Sequence, residues 1–295
     1  MLNTVRKSAQ KLPWLREFIA FKIVPSGLFD SYIVNKELND YWQVRLNDIV
    51  ACNDNSDIVR ANAAGKVLSG KQIMHNGLKI HLGSYYGPEI AHILAKNKGV
   101  HEPQEEKVFQ EVLKAIPTNS TMIEMGAFWS FYSMWFNREI TGAQNYMIEP
   151  ESFNMKCGMR NFKLNDMTGD FTQALIGAES SEIDGVKTVC VDDFLQSKGI
   201  DFVHILHSDI QGYEYDMLQG AAKSIENGRI GFIFISTHND EVHNKCRDHL
   251  IALGFSIIAE SNMQDTFSDD GLIVAHSSKV HWNTEITIDL KSKYS

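Results

Sequence analysis

The sequence predicts an α/β protein built on a Rossmann-like, doubly wound sheet. From His101 onward, short apolar segments alternate with segments whose apolar residues recur at helical spacing. The apolar segments are mostly continuous, which is typical of strands buried on both faces of a parallel sheet. Of the 295 residues, 43% are hydrophobic and 22% are charged, which provides enough apolar material for such a core.

Eight strands are predicted in this part of the chain. They cover residues 121–125, 145–149, 171–176, 186–190, 202–208, 230–237, 255–260 and 271–275. A helix precedes the first strand, because Val108, Phe109, Val112 and Ile116 follow helical spacing and Pro117 ends the pattern. Two later helices are indicated by the spacing of Met217, Leu218, Ala221, Ala222 and Ile225 and of Val242, Cys246, Leu250 and Leu253.

The first 100 residues are less regular and predict a mostly helical N-terminal extension (1–100) before the α/β domain (101–295). Residues 4–24 can form an amphipathic helix, bent at Pro13, with Val5, Leu12, Leu15, Phe18 and Ile19 on one side. Packing on the protein itself or on a second subunit is favoured over docking on an anionic membrane surface. A helix over residues 41–50 and a strand ending in a turn within 77–87 follow.

Composition excludes several classes of protein. The net charge is −9, with one modest basic cluster at the N-terminus, which argues against a nucleic-acid binder. The cysteines fit no zinc or disulfide spacing and favour a reducing, cytoplasmic compartment; they are Cys52, Cys157, Cys190 and Cys246. Basic residues interrupt every apolar run near the N-terminus, so no signal peptide is predicted, and no segment is apolar for 18 residues.

Acidic residues end the first two predicted strands of the α/β domain. Glu124 comes directly before Gly126 and Ala127, which allow a ligand to approach the backbone, and Glu149 comes directly before Pro150. Open α/β sheets bind ligands at these strand ends, and a carboxylate there can accept hydrogen bonds from ribose hydroxyls. Together the two acids indicate a nucleoside, whereas either acid alone is as well explained by a helix cap or a solvated loop.

The loop after the first strand reads GAFWSF and lacks the GxGxxG pattern of dinucleotide sites. Phe128 and Trp129 would crowd a diphosphate, while aromatic rings attract a sulfonium cation. These residues favour S-adenosylmethionine over NAD, although aromatic residues beside a helix start are often simply part of a core.

Three stretches in order resemble the FkbM-type S-adenosylmethionine-dependent methyltransferases. They are IEMGAFWSFYS (123–133), MIEP (147–150) and VDDFLQSKGIDFVHILHSDIQGYEYDMLQGA (191–221). The resemblance covers residues 101–276. It implies the class I methyltransferase fold, with seven strands of which the last is antiparallel, and O-methylation of hydroxyls on sugars or polyketide-like natural products.

The sequence departs from the family pattern at four positions. Phe128 replaces the usual Asn, Ser130 replaces Gly, Gln211 replaces Glu, and His207 replaces Lys. In the segment HEPQEE (101–106), Gln104 or Glu105 would cap the cofactor, or the segment is simply a capped helix start. The predicted cofactor-binding residues are Gln104, Glu124, Gly126, Ala127, Phe128, Ser130, Glu149, Pro150 and Ser208.

Residues that follow two further predicted strands are candidates to contact the methyl acceptor. Asp209 and His238 follow neighbouring strands and can converge on one hydroxyl, and Glu214 is the second acid of the family motif, binding substrate or ordering the turn. One hypothesis is a Mg²⁺ or Mn²⁺ site formed by Asp209, His238 and Asp240. The other is a metal-free base pair in which His238 titrates near neutrality. The metal-free arrangement is favoured because Gln211 stands where the family has Glu, which leaves one carboxylate fewer for a metal.

Other histidines are interpreted as surface or internally satisfied groups. His204 and His207 lie three apart on a strand and point to opposite faces, and His243 and His249 lie six apart on a helix.

The sequence therefore predicts a cytoplasmic S-adenosylmethionine-dependent O-methyltransferase acting on a small-molecule or saccharide acceptor. The extension is expected to cover the crevice or to form a homodimer, with no transmembrane segment and with peripheral membrane contact as an alternative. A catalytically silent cofactor-binding scaffold and, third, a nicotinamide-dependent oxidoreductase are the competing functions.

Overall fold

A computed structural model describes residues 12–294 of the chain. Its strands are β1 Val67–Leu68, β2 Lys71–Ile73, β3 Lys79–His81, β4 Thr121–Met125, β5 Gln144–Ile148, β6 Asp170–Thr172, β7 Leu175–Ile176, β8 Ser181–Ile183, β9 Val186–Val189, β10 Val203–Ser208, β11 Ile230–Thr237, β12 Ser256–Ser261 and β13 Gly271–His276. Its α-helices are α1 Pro13–Phe18, α2 Asp30–Val34, α3 Asp40–Ala51, α4 Pro88–Lys96, α5 Pro103–Leu113, α6 Phe131–Glu139, α7 Ser152–Leu164, α8 Val191–Lys198, α9 Glu214–Gly220, α10 Ala222–Glu226 and α11 Asp240–Ala252.

Seven strands form the central sheet, in the order β12-β13-β11-β10-β4-β5-β6. Strand β13 pairs antiparallel with both of its neighbours, β11 and β12, and the other pairings in this sheet are parallel. This architecture confirms the predicted Rossmann-like α/β sheet of seven strands with an antiparallel last strand.

Both faces of the sheet are buried, as the continuous apolar strands predicted. Met122 of β4 packs on one side with Phe109 of α5 and Phe131 of α6. Ile123 packs on the other side with residues of α8, α9 and α11. Because side chains alternate along a strand, this packing sends Glu124 to the α5 and α6 side.

Two predicted strands, 171–176 and 186–190, pair differently from the prediction. The segment 171–176 is split between β6, which extends the central sheet, and β7, which pairs with β9 in a small sheet ordered β7-β9-β8. The predicted strand 186–190 is β9, so it belongs to this small sheet and not to the central one. Local apolar character predicts a strand but does not determine which strand it pairs with.

The N-terminal extension contains the predicted helix over 41–50, as α3, and a strand within 77–87, as β3. A small antiparallel sheet, β1-β2-β3, was mostly missed because its strands are only two or three residues long. A helix begins at Pro13, since the first helical position needs no backbone N–H donor. Residues 4–11 of the predicted helix lie outside the described residues. A π-helical turn, Ile19–Ile23, continues α1. Val5 lies outside the described residues.

The described part of the extension packs against the rest of the chain through a shared apolar cluster. Ile49, Met74 and Ile90 are fully buried in the same cluster as Phe109 and Phe131. The extension and the sheet therefore bury their apolar surface together. Among the described residues, no helix combines the length and apolar character needed to cross a bilayer.

Candidate functional site

A cavity of about 310 Å³ opens at the carboxyl ends of β4, β5 and β10, a size within the range of small-molecule sites. Of the predicted cofactor residues, six line it: Glu124, Gly126, Ala127, Phe128, Glu149 and Pro150. Asp209 and Gln211 line it as well. The cavity is therefore at the position expected for a ligand on an open α/β sheet.

Glu149 is held at one end of this cavity by backbone donors. Its Oε2 accepts the Phe128 N–H at 3.0 Å, and its Oε1 accepts the Glu151 N–H at 2.9 Å. Burial raises the pKa of Glu149, and these hydrogen bonds oppose that shift. Each oxygen keeps a lone pair with which to accept a ligand hydroxyl.

The loop after β4 bends through three residues in the left-handed region. The φ angles are +73° at Gly126, +37° at Phe128 and +60° at Ser130. A Cβ atom at position 126 would lie 1.7 Å from the Asp209 carbonyl oxygen, so only glycine fits there. Phe128 and Ser130 occupy the positions where the resembling family has Asn and Gly, which adopt this conformation at lower cost.

Three predicted cofactor residues do not line the cavity. Gln104 donates its amide to the carbonyl of Asp289 at 2.6 Å, and its Oε1 accepts the Phe267 N–H at 2.9 Å. Gln104 therefore binds the C-terminal segment, because the first turn of α5 faces that segment and not the cavity. The hydroxyls of Ser130 and Ser208 are buried away from the cavity, and neither has a hydrogen-bond partner among the described residues.

The segment 101–106 supplies buried carboxylates that contact histidines. Glu106 lies 3.0 Å from His75 and 2.6 Å from His101. Burial alone would lower the pKa of His101, but Glu102 and Glu106 outweigh it and raise that pKa to about 10. These buried charges are therefore paired within the fold.

Glu105, on the same helix, reaches the central sheet. Its carboxylate lies 2.6 Å from Nε2 of His207 on β10 and accepts the Ser236 hydroxyl at 3.2 Å. Burial opposes a charged His207, but Glu105 outweighs it and raises the pKa of His207. This pair was not predicted from sequence, although the density of acids in HEPQEE (101–106) could have indicated that they need buried partners.

Glu124 differs from these acids because no cationic side chain pairs with it in the described chain. Its Oε2 accepts the Ser133 N–H at 3.1 Å, and it lies beside His207 in the pairing of β4 with β10. Burial raises its pKa to about 7, although His207 and Ser133 oppose the shift. The cavity therefore contains one buried carboxyl group that a cationic ligand can pair with.

Beside the cavity, His238 is surrounded by three carboxylates. Its Nδ1 lies 2.9 Å from Glu214, and its Nε2 lies 3.2 Å from Asp209 and 3.3 Å from Asp270. The structure thus brings the predicted residues Asp209 and His238 together. Glu214 is fully buried, does not line the cavity and also accepts the Gly212 N–H at 2.9 Å. It therefore positions His238 and orders the turn.

The third predicted metal ligand, Asp240, is not in this cluster. It begins α11 and accepts the Met263 N–H at 3.2 Å. Asp270 occupies the expected place instead, and one ligand atom each from Asp209, His238 and Asp270 lie within 4.8 Å of one another. Asp270 was not predicted from sequence because it comes directly before a strand. Since β13 is antiparallel, its start lies beside the carboxyl end of β11.

The expectation that His238 titrates near neutrality is wrong. Burial alone would lower its pKa, but hydrogen bonds to Asp209 and Glu214 outweigh burial and raise the pKa to about 10. Burial and the charge of Asp209 raise the pKa of Asp270 to about 7. At neutral pH, His238 is therefore a cation that neutralises its acidic neighbours.

Three other histidines that were considered from the sequence make internal contacts. His204 accepts the Thr121 N–H at 3.1 Å, and His243 is buried between the Thr237 hydroxyl and Glu260. His249 contacts the ring of Tyr215 edge-on. None of these three side chains lines the cavity.

Aromatic residues from the N-terminal extension cover one side of the cavity. The ring of Tyr85 stacks on Trp129 with centroids 4.4 Å apart, and Tyr86 meets Phe128 edge-on at 5.2 Å. All four side chains line the cavity. The extension therefore contributes directly to the site.

A seven-stranded sheet with acids at the carboxyl ends of β4 and β5, around a nucleoside-sized cavity, is the arrangement of a Rossmann-like S-adenosylmethionine-dependent methyltransferase. The family model described as methyltransferase FkbM domain matches residues 3–257. The chain belongs to the FkbM methyltransferase family, and its cofactor is S-adenosylmethionine.

Several solved structures are similar to the chain at low sequence identity. M. capricolum TrmK in complex with S-adenosyl-homocysteine is 14% identical, with a TM-score of 0.40, over 60% of this chain and 71% of that one. Precorrin-6y C5,15-methyltransferase from Geobacter metallireducens GS-15 is 12% identical, with a TM-score of 0.42, over 59% and 89%. An rRNA methylase from Streptococcus thermophilus is 9% identical, with a TM-score of 0.44, over 59% and 96%. None of the curated proteins compared with the chain matches it.

Replacing Ser130 with glycine is expected to stabilise the free protein by about 1 kcal/mol, because glycine adopts the left-handed backbone conformation of this position at lower cost. Ser133→Gly, one turn later inside α6, should destabilise it by about 0.5 kcal/mol through lower helix propensity. Urea denaturation measures both. Equal losses in the two variants would contradict the assignment of strain to position 130.

The thermal stability of Glu124→Gln relative to the wild type should increase with pH. A carboxyl group whose folded pKa is raised to about 7 loses stability as pH rises from about 4.5 through 7, and glutamine does not. The difference should change by about 2–3 kcal/mol between pH 4.5 and 8. The half-exposed Glu151→Gln is the control, and a pH-independent difference for Glu124→Gln would show that position 124 ionises normally.

Proposed function

We propose that the protein is an O-methyltransferase that acts on a hydroxyl of a sugar, a glycan precursor or a natural product. The observation that carries this proposal is that Asp209, held by His238, lines the same cavity as Glu124 and Glu149. A carboxylate at the acceptor side of a methyl donor suits a hydroxyl, which must lose its proton during transfer.

The residues of the cavity fit S-adenosylmethionine. When bound, this cofactor supplies an electrophilic methyl group on a sulfonium. Glu149 holds the ribose through the lone pairs left free by its backbone donors. Glu124, the buried carboxyl group without a cationic side-chain partner, receives the positively charged amino-acid end. Since Glu124 and Glu149 end the neighbouring strands β4 and β5, one ligand can reach both.

Asp209 would accept the proton that the acceptor hydroxyl must lose when its oxygen takes the methyl group. His238 remains protonated and orients Asp209, because its Nε2 lies 3.2 Å from that carboxylate. Glu214 keeps the imidazole ring in place through Nδ1. The in-line alignment of the acceptor oxygen with the methyl group then depends on Asp209 and on the aromatic side chains that line the cavity.

A divalent cation is the competing arrangement at the same cluster. Two carboxylates and one imidazole, from Asp209, Asp270 and His238, fit Mn²⁺ better than Mg²⁺, because an imidazole is a softer ligand than oxygen. Held there, the cation would lower the pKa of the acceptor hydroxyl. The metal-free arrangement is preferred because the protonated His238 already neutralises the acids.

We also propose a reducing, cytoplasmic compartment for the protein. The four cysteines are buried and unpaired, which supports such a compartment.

The competing function is a catalytically silent scaffold. A scaffold would bind the cofactor without turnover, whereas the Asp209–His238 pair supports catalysis. Transfer of labelled methyl groups to a panel of methyl glycosides and hydroxylated natural products tests the proposal, and cofactor binding without transfer to any of them would favour the scaffold.

Glu149→Ala should weaken binding of S-adenosylhomocysteine by about 1.5–3 kcal/mol, because the ribose loses charge-assisted hydrogen bonds. Glu226→Ala removes an exposed carboxylate that does not line the cavity and should leave the affinity nearly unchanged. Isothermal titration calorimetry measures both, and an unchanged affinity in Glu149→Ala would remove the ribose assignment.

Asp209→Asn should lower turnover by about 10²–10⁴-fold while cofactor affinity stays within about twofold, because the substitution removes the proton acceptor and leaves the cofactor contacts. Turnover and calorimetry on the same preparation separate the two effects. If affinity falls together with turnover, Asp209 belongs to the cofactor site.

EDTA should leave the methyl-transfer rate unchanged, because the cation in the acceptor cluster is the protonated His238. Rates are measured with the acceptor found in the panel, before and after chelation and after adding back Mn²⁺ or Mg²⁺. A rate abolished by EDTA and restored by either ion would establish the metal arrangement instead.

A further inference from the structure

The first described helical stretch, residues 13–23, is fixed to helix α7 along one side. The ring of Phe21 stacks on Phe153 with centroids 5.3 Å apart. The Arg16 guanidinium lies 3.6 Å from the centroid of the Phe153 ring, and Glu17 forms a 2.6 Å ion pair with Lys156. These contacts determine which side of the stretch faces the protein.

The opposite side exposes large apolar side chains. Trp14 and Phe18 lie four residues apart on α1 and therefore on one face, and they are 66% and 50% exposed. Lys22, one further turn along, is exposed as well, and the nearby Leu12 and Leu28 are exposed apolar residues. We call Trp14, Phe18 and Lys22 the N-terminal face.

The charge of this part of the chain is opposite to that of the whole protein. Residues 1–24 contain one acid, Glu17, and five basic residues, which are Arg6, Lys7, Lys11, Arg16 and Lys22, while the chain has a net charge of −9. Basic side chains interspersed with Trp, Phe and Leu are typical of segments that lie in the headgroup region of anionic membranes. Each exposed Lys or Arg adds attraction to such a surface.

We propose that the N-terminal face docks the protein on an anionic lipid surface. Trp14 and Phe18 enter the headgroup region, Lys22 contacts lipid phosphates, and the contacts of Arg16, Glu17 and Phe21 with α7 transmit the anchoring to the folded protein. Helix α7 also supplies Asn154 to the cavity. The docked helix therefore lies on an element that borders the methyl-transfer site.

Co-sedimentation of the full chain with vesicles tests this proposal. The protein should sediment with phosphatidylcholine–phosphatidylglycerol vesicles at least roughly tenfold more strongly than with pure phosphatidylcholine, and 500 mM NaCl should weaken the binding. The double variant Trp14→Ser/Phe18→Ser and, separately, Lys22→Glu should each lower the binding at least roughly fivefold.

The control replaces an equally exposed apolar pair elsewhere. Ile183 and Val186, at the β8–β9 turn, are 68% and 52% exposed, and the acids Glu182 and Asp184 lie beside them. Ile183→Ser/Val186→Ser should bind vesicles as the wild type does. Thermal melting checks that each variant folds, which exposed positions should permit.

Three results would overturn the proposal. One is equal sedimentation with neutral and anionic vesicles, and another is an equal loss in both double variants. The third is a wild-type dimer in analytical ultracentrifugation that Trp14→Ser/Phe18→Ser converts to a monomer without any vesicle binding, which would make the N-terminal face an interface between copies of the chain.

Discussion

Pairing of the buried carboxylates in residues 102–106 is the interaction on which the rest of the structure depends. An ionised carboxylate buried without a partner costs several kcal/mol, so each of these acids needs a cation or donors. Their partners come from distant parts of the chain, since His75 belongs to the extension and His207 to the central sheet. Helix α5 is therefore held in one position relative to both.

That pairing explains why the cavity has its particular charge. Glu105 occupies Nε2 of His207, and Glu124 on the neighbouring strand is left without a cationic side-chain partner in the described chain. At the acceptor side, a single imidazole serves three carboxylates. The acids of the cavity thus exceed its cations, and a ligand that carries positive charge compensates for the difference.

Local sequence predicted much of the fold and part of the site. Continuous apolar runs predicted the central strands, and acids at strand ends predicted that Glu124, Glu149 and Asp209 meet at one edge. Sequence did not predict Asp270, because it comes directly before the antiparallel strand β13 and does not follow a parallel strand. It also gave the wrong pKa for His238, because that pKa depends on carboxylates brought together only by the tertiary fold. Gln104 does not line the cavity, and nothing in the local sequence shows which segment a helix start will face.

We propose above that Glu124, which has no cationic side-chain partner in the described chain, receives the cationic end of the cofactor. The most direct measurement compares the affinities of S-adenosylhomocysteine and 5′-methylthioadenosine, which lacks the amino-acid end, for the wild type and for Glu124→Gln. If Glu124 has this role, the substitution should weaken the binding of S-adenosylhomocysteine roughly tenfold and leave the binding of 5′-methylthioadenosine unchanged. An equal loss for both ligands, or no loss for either, would contradict it.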